Sequence, residues 1–316
     1  MEFLADVGPW GAVATVAGFY AIFAIGLQVQ VGHGGVDNFG QVAFFMIGAY
    51  TSTILVEQHG VGLIAGVLLG MLAAMVAAVL VSIPTLRLRG DFLAITTLAF
   101  GEILRNVALN EQELTNGAGG IDALKFRVDV VRDFRSDLRD QDIDIDRLVP
   151  LLSLTWLLVL VVALVTWLLL RTPWGRVLRA VRENDAAVRA LGKNAFIYRA
   201  QAMAIGAAWA ALAGTLYAWH QVKFSPNSFE PIVTFAGMVL IIVAGLGTIW
   251  GTVLMAILIQ GVLIEGSRYW LDGLGLSNAK EASLRYMAVG LVLMLIVRFR
   301  PQGVFGKRDE LAVADE

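Results

Sequence analysis

The sequence predicts an all-α integral membrane protein, a bundle of about eight to ten transmembrane helices with one or more of them discontinuous. Three observations predict it. Of 316 residues, 58% are hydrophobic and only 16% charged, against about 25% charged in soluble proteins. The deficit is concentrated in long windows that hold no charge, and ~20 apolar residues rising 1.5 Å each cross the ~30 Å hydrocarbon core. Between the first two such windows lies VGHGGVDNFGQ (Val31–Gln41), polar and rich in glycine where the flanking sequence is apolar.

In order, the expected spans are Trp10–Val31, Phe39–Val56, Val61–Ile83, Phe92–Leu109, Pro150–Leu170, Ala200–His220, Ile232–Trp250, Gly251–Trp270 and Leu284–Val297. The opening MEFLADVGPW is acidic and lacks the basic start of a signal peptide, so the first span is expected to stay as an anchor. Breaks are expected near Val31–Phe39 and near Trp250–Gly251. Gly62, Gly66 and Gly70, then Gly206, Ala210 and Gly214, recur every fourth residue, the spacing that lets helix backbones approach closely in lipid.

Lysine and arginine set the orientation, since cytoplasmic loops are enriched in them. Arg171, Arg176, Arg179, Arg182, Arg189, Lys193 and Arg199 cluster in one loop, Arg87 and Arg89 in a second, and Arg298, Arg300, Lys307 and Arg308 in the tail. Alternating crossings put all of them on one side. The chain, 1–316, thus reads as a single transmembrane domain in the cell membrane. Segment 171–199 and the C-terminus face the cytoplasm, and a loop over 110–149 faces outside. Within that outer loop, KFRVDVVRDFRSDLRDQDIDID alternates apolar and charged residues in places, the pattern of a small extended element. It reads as a solvated loop or as a docking surface for an external partner.

The 171–199 segment is built for a purpose. Thr172-Pro173 is a helix start, with Thr as cap and Pro at the first helical position. Asn184-Asp185 is a second cap, and Gly192 suits the left-handed end of the short helix that follows. Two short capped helices make an amphipathic elbow, either resting its arginines on anionic lipid or offering a rigid face to a partner.

RENDAAVRALG, with Arg182, Glu183, Asn184, Asp185, Ala186, Ala187 and Gly192, resembles the coupling loop by which permeases of ABC importers engage their ATPases. The general pattern there is Glu-Ala-Ala, three residues, Gly; here Asp replaces Glu and four residues precede Gly192. The wider GRVLRAVRENDAAVRALGKN resembles the LivM-type permeases of branched-chain amino acid transporters. So do PTLRLRGDFLAITTLAFGEILRNV, LAGTLYAWHQVKFSPNSFE, VAGLGTIWGTVL and FRPQGVFG, in order along most of the chain. The resemblance implies an importer subunit working with a second related permease, two cytoplasmic ABC ATPases and an extracytoplasmic solute-binding protein. It implies no cofactor on this chain, with ATP and Mg held by the ATPases. The chain agrees in lacking a G-x-x-x-x-G-K-S/T phosphate loop; RALGKN and GVFGKR miss the spaced glycine and the hydroxyl residue.

Polar residues inside the spans are the route candidates, because intramembrane charge is costly and is turned toward a cavity or a bundle interior. Glu102 and Arg105, three apart on one helix face, read as an ion pair tying helices together or as a lining of the route. Glu265 and Arg268 share that spacing near a helix end and read as a snorkelling pair. In the opening stretch, Asp37, Asn38 and Gln41 depart from the family's usual residues. Asn38 is the expected cap of the helix from Phe39, beside the route; the alternative is an ordinary cytoplasmic turn. With no cysteine and three scattered histidines (His33, His59, His220), a metal centre is not expected. Nothing points to nucleic acid. An ion-coupled secondary transporter, a permease for urea or amides, and a membrane-embedded enzyme are the competing readings, the last without a visible nucleophile and base.

Overall fold

The computed structural model describes residues 8–86, 88, 91–124, 148–271 and 278–306. Arg87, Arg89, Lys307 and Arg308 lie outside the described residues, as does the alternating part of the outer loop.

Nine main helical segments follow one another among the described residues. The first, α1 (Gly8–Leu27), continues as a π-helical turn over Gln28–His33. Then come α2 (Gln41–Glu57), α3 (Leu63–Thr85) and α4 (Asp91–Asn110). After the outer loop, α5 (Val149–Arg171) leads to the elbow helices α6 (Pro173–Glu183) and α7 (Asp185–Ala190), and α8 (Ala195–Gln221) returns. The last are α9 (Pro231–Ala244), α10 (Ile249–Met255, prolonged by π-helix to Gly266), the short α11 (Ser267–Leu271) and α12 (Asn278–Phe299). Seven segments are long and apolar enough to cross a membrane. Of the other two, α2 is short at 17 residues, and α12 carries Lys280, Glu281, Arg285 and Arg298.

Burial ranks these helices. In α1 with its π turn, and in α8, 83% of the apolar window is buried inside the chain, against 22% for α3 and α4. The centre is therefore α1 and α8, with α2 beside them, and the outer helices show apolar side chains to lipid. Small residues make the centre possible. A Cβ at Gly26 would stand 2.6 Å from the Gly206 carbonyl oxygen, so α1 and α8 meet backbone to backbone. Gly66 and Gly70 likewise face α2, but Gly62 precedes α3 with open space around it.

Three expected boundaries move. The late break falls at Gly245–Thr248, at the early end of the 245–251 stretch expected for it rather than at Trp250–Gly251, because Gly245 and Gly247 take positive φ (103° and 86°) that stops α9. Thr172 does not cap α6 with its side chain; its hydroxyl donates back to the Leu169 carbonyl at 2.6 Å. Helix α2 begins at Gln41 after Gly40, which has no side chain to cap it; the Val42 N–H donates instead to Thr234 Oγ1 of α9 at 3.0 Å. At the end of the bundle away from the elbow, Ile121–Asp122 and Lys223–Phe224 form a two-residue antiparallel ladder.

The connections after α1, α3, α5, α9 and α12 gather at one end of the bundle, here the elbow end. One cleft joins Gly35 and Asp37 to Leu86, Leu88 and Asp185, and a second joins His33 to Arg171, Gly247 and Phe305.

Candidate functional site

Two polar assemblies meet at the elbow end. The first is buried. Asn38 is 1% exposed and Gln41 wholly buried, as are Gln28 and Gln30. The Asn38 amide donates to Gln30 Oε1 (2.8 Å) and to Gln41 Oε1 (3.0 Å), and its own oxygen accepts from the Gly40 N–H at 2.9 Å. This is a turn two residues long, in place of the expected cap on α2. Gln30 and Gln41 each donate one N–H to α8, to the Met203 and Gly206 carbonyls respectively (3.1 and 2.9 Å). The lock is closed: each amide in it has its partner, as burial demands.

The far side of the break is recessed into the bundle. A helix of 17 residues is about 26 Å long and falls short of the hydrocarbon core. Its start sits beside Thr97, whose hydroxyl accepts from the Phe39 N–H at 3.1 Å. Thr97 is six residues inside α4, hence about 9 Å from that helix's first residue. The glycine at position 40 is needed there, because a Cβ would overlap the Thr97 backbone.

Gln28 and Gln30 were not singled out by sequence. Two residues apart, they point to opposite sides of the helix. Gln30 therefore reaches α8, whereas Gln28 holds the second break: its amide donates to Gly245 O (3.0 Å) and Thr252 Oγ1 (2.8 Å), and its oxygen accepts from the Gly247 N–H (2.8 Å). The tail clasps the same break, with Val304 and Phe305 N–H groups donating to the Val243 and Ala244 carbonyls at 2.9 and 3.0 Å. The signal was present in LQVQVG, two amides in an apolar run that have to find interior partners.

The second assembly is the elbow. Val181, Val188 and Ala195 form a small core of its own, with Tyr198 against it. Asn184 caps α7 by accepting from the Ala187 N–H at 2.9 Å, and Gly192 ends the turn at φ +75°. Asp185 binds Arg189 and stands 3.7 Å from Arg199 of α8, so it is an internal fastening of the elbow. That contact raises the Arg189 pKa further. Glu183, Ala186, Ala187 and Gly192 are exposed. So is Leu191, at 81%, an apolar tip that charge patterning does not reveal.

Arg182 joins the two assemblies. Its guanidinium donates to the Gly32 carbonyl at the end of the π turn, and Gly35 (φ +59°) passes close beneath its side chain, where a Cβ would meet Arg182 Cγ at 3.1 Å. A cleft of about 540 Å³ lies alongside, lined by Asp37 from the break and Asp185, Ala186 and Arg189 from the elbow.

Glu102 and Arg105 are elsewhere. They pair on α4, Arg105 Nε to Glu102 Oε2 at 3.0 Å, with the Glu102 side chain 38% and the Arg105 side chain 18% exposed. Arg105 also reaches Asn227 at 3.4 Å. With Asn106, Asn110 and Glu111, Glu102 lines a shallow cleft of about 670 Å³ on the outward face of α4. The five route candidates thus fall into three places: Asn38 and Gln41 in the lock, Asp37 in the elbow cleft, and the ion pair on α4. Glu265 and Arg268 form an ion pair at 3.2 Å with the arginine the more exposed partner, as a snorkelling pair should.

Residues 11–297 match the family described as "Branched-chain amino acid transport system / permease component". The chain is 34% identical to the high-affinity branched-chain amino acid transport system permease protein LivM of Salmonella typhimurium, over 92% of this chain and 69% of that one, and equally to the Escherichia coli protein of that name. It is 26% identical to a probable branched-chain amino acid transport permease LivM of Methanocaldococcus jannaschii, over 92% and 91% of the two chains. No solved structure matches it. A multi-pass helical bundle with broken helices, matched over 92% of its length by such relatives, belongs to the branched-chain amino acid transport system permease family.

Proposed function

We propose that this chain is the permease subunit of an ABC importer for branched-chain or related small amino acids, and supplies half of the translocation pathway. The observation that carries the reading is the Arg182–Gly32 contact. A cored, capped elbow with an exposed tip is fastened directly to the helix break, the arrangement needed to turn a push at the surface into movement of the spans. Arg182, Glu183, Asn184, Asp185, Ala186, Ala187 and Gly192 form the coupling element. Leu191 adds the apolar contact. Two cytoplasmic ATPases hold ATP and Mg and press on this element; the chain itself performs no hydrolysis. On this reading 171–199 and the C-terminus lie in the cytoplasm and 110–149 lies outside, facing a solute-binding protein.

The route runs along α4. Its Glu102–Asn106–Asn110 stripe is unsuited to lipid, since intramembrane polar groups face a cavity or another helix. A second permease subunit set against this face encloses a polar path between the two. Asp37, Asn38 and Gln41 then govern the elbow end of that path, with the lock closed in this conformation.

Ala187 is exposed and lacks a side-chain function of its own, so Ala187→Arg is a cleaner test than any change at Asp185. Together with Leu191→Asp, it is expected to leave insertion intact while abolishing ATPase co-purification and uptake. Uptake at the normal rate in both variants sinks the coupling role. Substrate class is tested on the partner binding protein by thermal shift with leucine, isoleucine, valine, polar amino acids and urea; stabilisation by urea alone overturns the amino-acid assignment.

A further inference from the structure

We infer that the cavity between the end of α5, helix α6 and the start of α10 is a binding site for the headgroup of an anionic phospholipid. The cavity encloses about 740 Å³ and its charged lining is Arg171 and Arg179 alone. The neighbouring elbow cleft shows the contrast. There Arg189 and Arg199 are matched by Asp185. Here no carboxylate contributes to the lining, and neither arginine has an ion-pair partner among the described residues. Two unmatched guanidinium groups facing one cavity call for an anion, and their planar forks suit phosphate oxygens.

The rest of the lining identifies the anion as a lipid. Arg171 lies 3.5 Å over the Trp167 ring, a cation–π stack that holds its fork in place before anything binds. Arg171 ends one span and Ile249 begins another, so the cavity sits at the membrane–water boundary, where tryptophan is favoured. Trp250 stands at the mouth, 50% exposed. From there the wall becomes apolar and leads out onto the lipid face: Leu254, then Leu258 one turn further, are both exposed on α10. A phosphodiester between the arginines and an acyl chain along Leu254 and Leu258 satisfy both halves of the site. A soluble phosphate satisfies only the first. Arg179 belongs to the elbow and Arg171 to a span, so the bound lipid bridges them and steadies the elbow from the membrane side. The orientation proposed above makes this the cytoplasmic leaflet, the one with the anionic surface potential.

The test uses the full chain purified in detergent, with bound lipid read by native mass spectrometry and stability by thermal unfolding. Added phosphatidylglycerol is expected to bind and stabilise; phosphatidylcholine and inorganic phosphate are not. Each arginine contributes about fivefold to retention, so Arg171→Gln with Arg179→Gln should weaken phosphatidylglycerol binding roughly thirtyfold. Arg176→Gln removes the same charge from outside the cavity and is expected to change nothing. If the double variant does not fold, Arg179→Gln alone, on the exposed side of α6, carries the test at about fivefold. The site is refuted as a lipid site if phosphate stabilises as well as phosphatidylglycerol, if phosphatidylcholine competes equally, or if the arginine variants and Arg176→Gln behave alike.

Discussion

Gln28, Gln30, Asn38 and Gln41 are almost completely buried, whereas Glu183, Asn184, Ala187 and Leu191 of the elbow face outward. Both groups lie at the same end of the bundle, and Arg182 connects them. Their polar groups nevertheless serve different ends. In the break, amides bond to amides and to carbonyls of a neighbouring helix, so the segment holds spans together from within. In the elbow, hydrogen bonds stay local and shape a protrusion whose outer surface remains free for a partner. One region is expensive to disturb and the other inexpensive, which gives the expected order of mutational effects.

The largest effect is expected at Asn38. Replacement by Leu orphans the Gly40 N–H and one acceptor on each of Gln30 and Gln41. At about 1–3 kcal/mol for each unsatisfied buried group, the loss is on the order of 4 kcal/mol or more. A fall in the unfolding temperature with loss of monodisperse protein is the expected result. Asp37→Ala, one residue away and exposed, should stay within about 0.5 kcal/mol. Equal effects at the two positions are incompatible with the lock.

That contrast also marks what the sequence could tell. Spans, the elbow's second cap and the left-handed Gly192 follow from local rules: apolar run length, Asn before a short helix, Gly after it. Asp37, Asn38 and Gln41 were recognisable as a break, but not as one exposed residue beside two buried ones. Gln41 and its neighbour in the lock, Gln30, find partners at Gly206 and Met203, more than 160 residues away. The cap expected of Asn38 gave way to nearer partners, Gln30 and Gln41, eight and three residues away, and the Gly40 N–H, in an arrangement set once α8 holds those two amides. Local patterning carries no such information, and the apolar tip at Leu191 likewise emerges only when burial separates it from Val188.

Arg182 tests the connection itself. A charge-assisted bond to a carbonyl contributes about 1.5–3 kcal/mol, and Arg182→Ala removes it without touching the elbow's own core. Under the proposed function, ATPase association survives while the ATP hydrolysed per substrate imported rises. Arg182→Lys, which keeps a donor and the stem but not the fork, should recover part of the coupling. If Arg182→Ala imports with unchanged stoichiometry, force does not pass through Gly32.

Asn184→Ala comes next. It deletes the cap on α7, worth about 1 kcal/mol, and faster amide hydrogen exchange should be confined to residues near 185–192. Asn184→Asp keeps an acceptor for the Ala187 N–H and should restore protection. Loss of protection spreading into the break would mean that the elbow and lock form a single cooperative unit.

The smallest effect is expected at Glu102, and its size is informative. The pair with Arg105 is partly exposed on α4, and pairs of that kind contribute about 0.2–1 kcal/mol. Glu102→Gln keeps an acceptor for Arg105 and removes a charge, so uptake should fall by less than about fivefold. The driving force separates the mechanisms more sharply than the rate does. If ATPases power the chain, uptake in both wild type and Glu102→Gln persists when proton and sodium gradients are collapsed, and stops when ATP is withdrawn. In an ion-coupled transporter this carboxylate is the natural titrating group, and its loss abolishes gradient dependence. A gradient-dependent wild type made gradient-independent by this one change would therefore move the driving force from the elbow to α4.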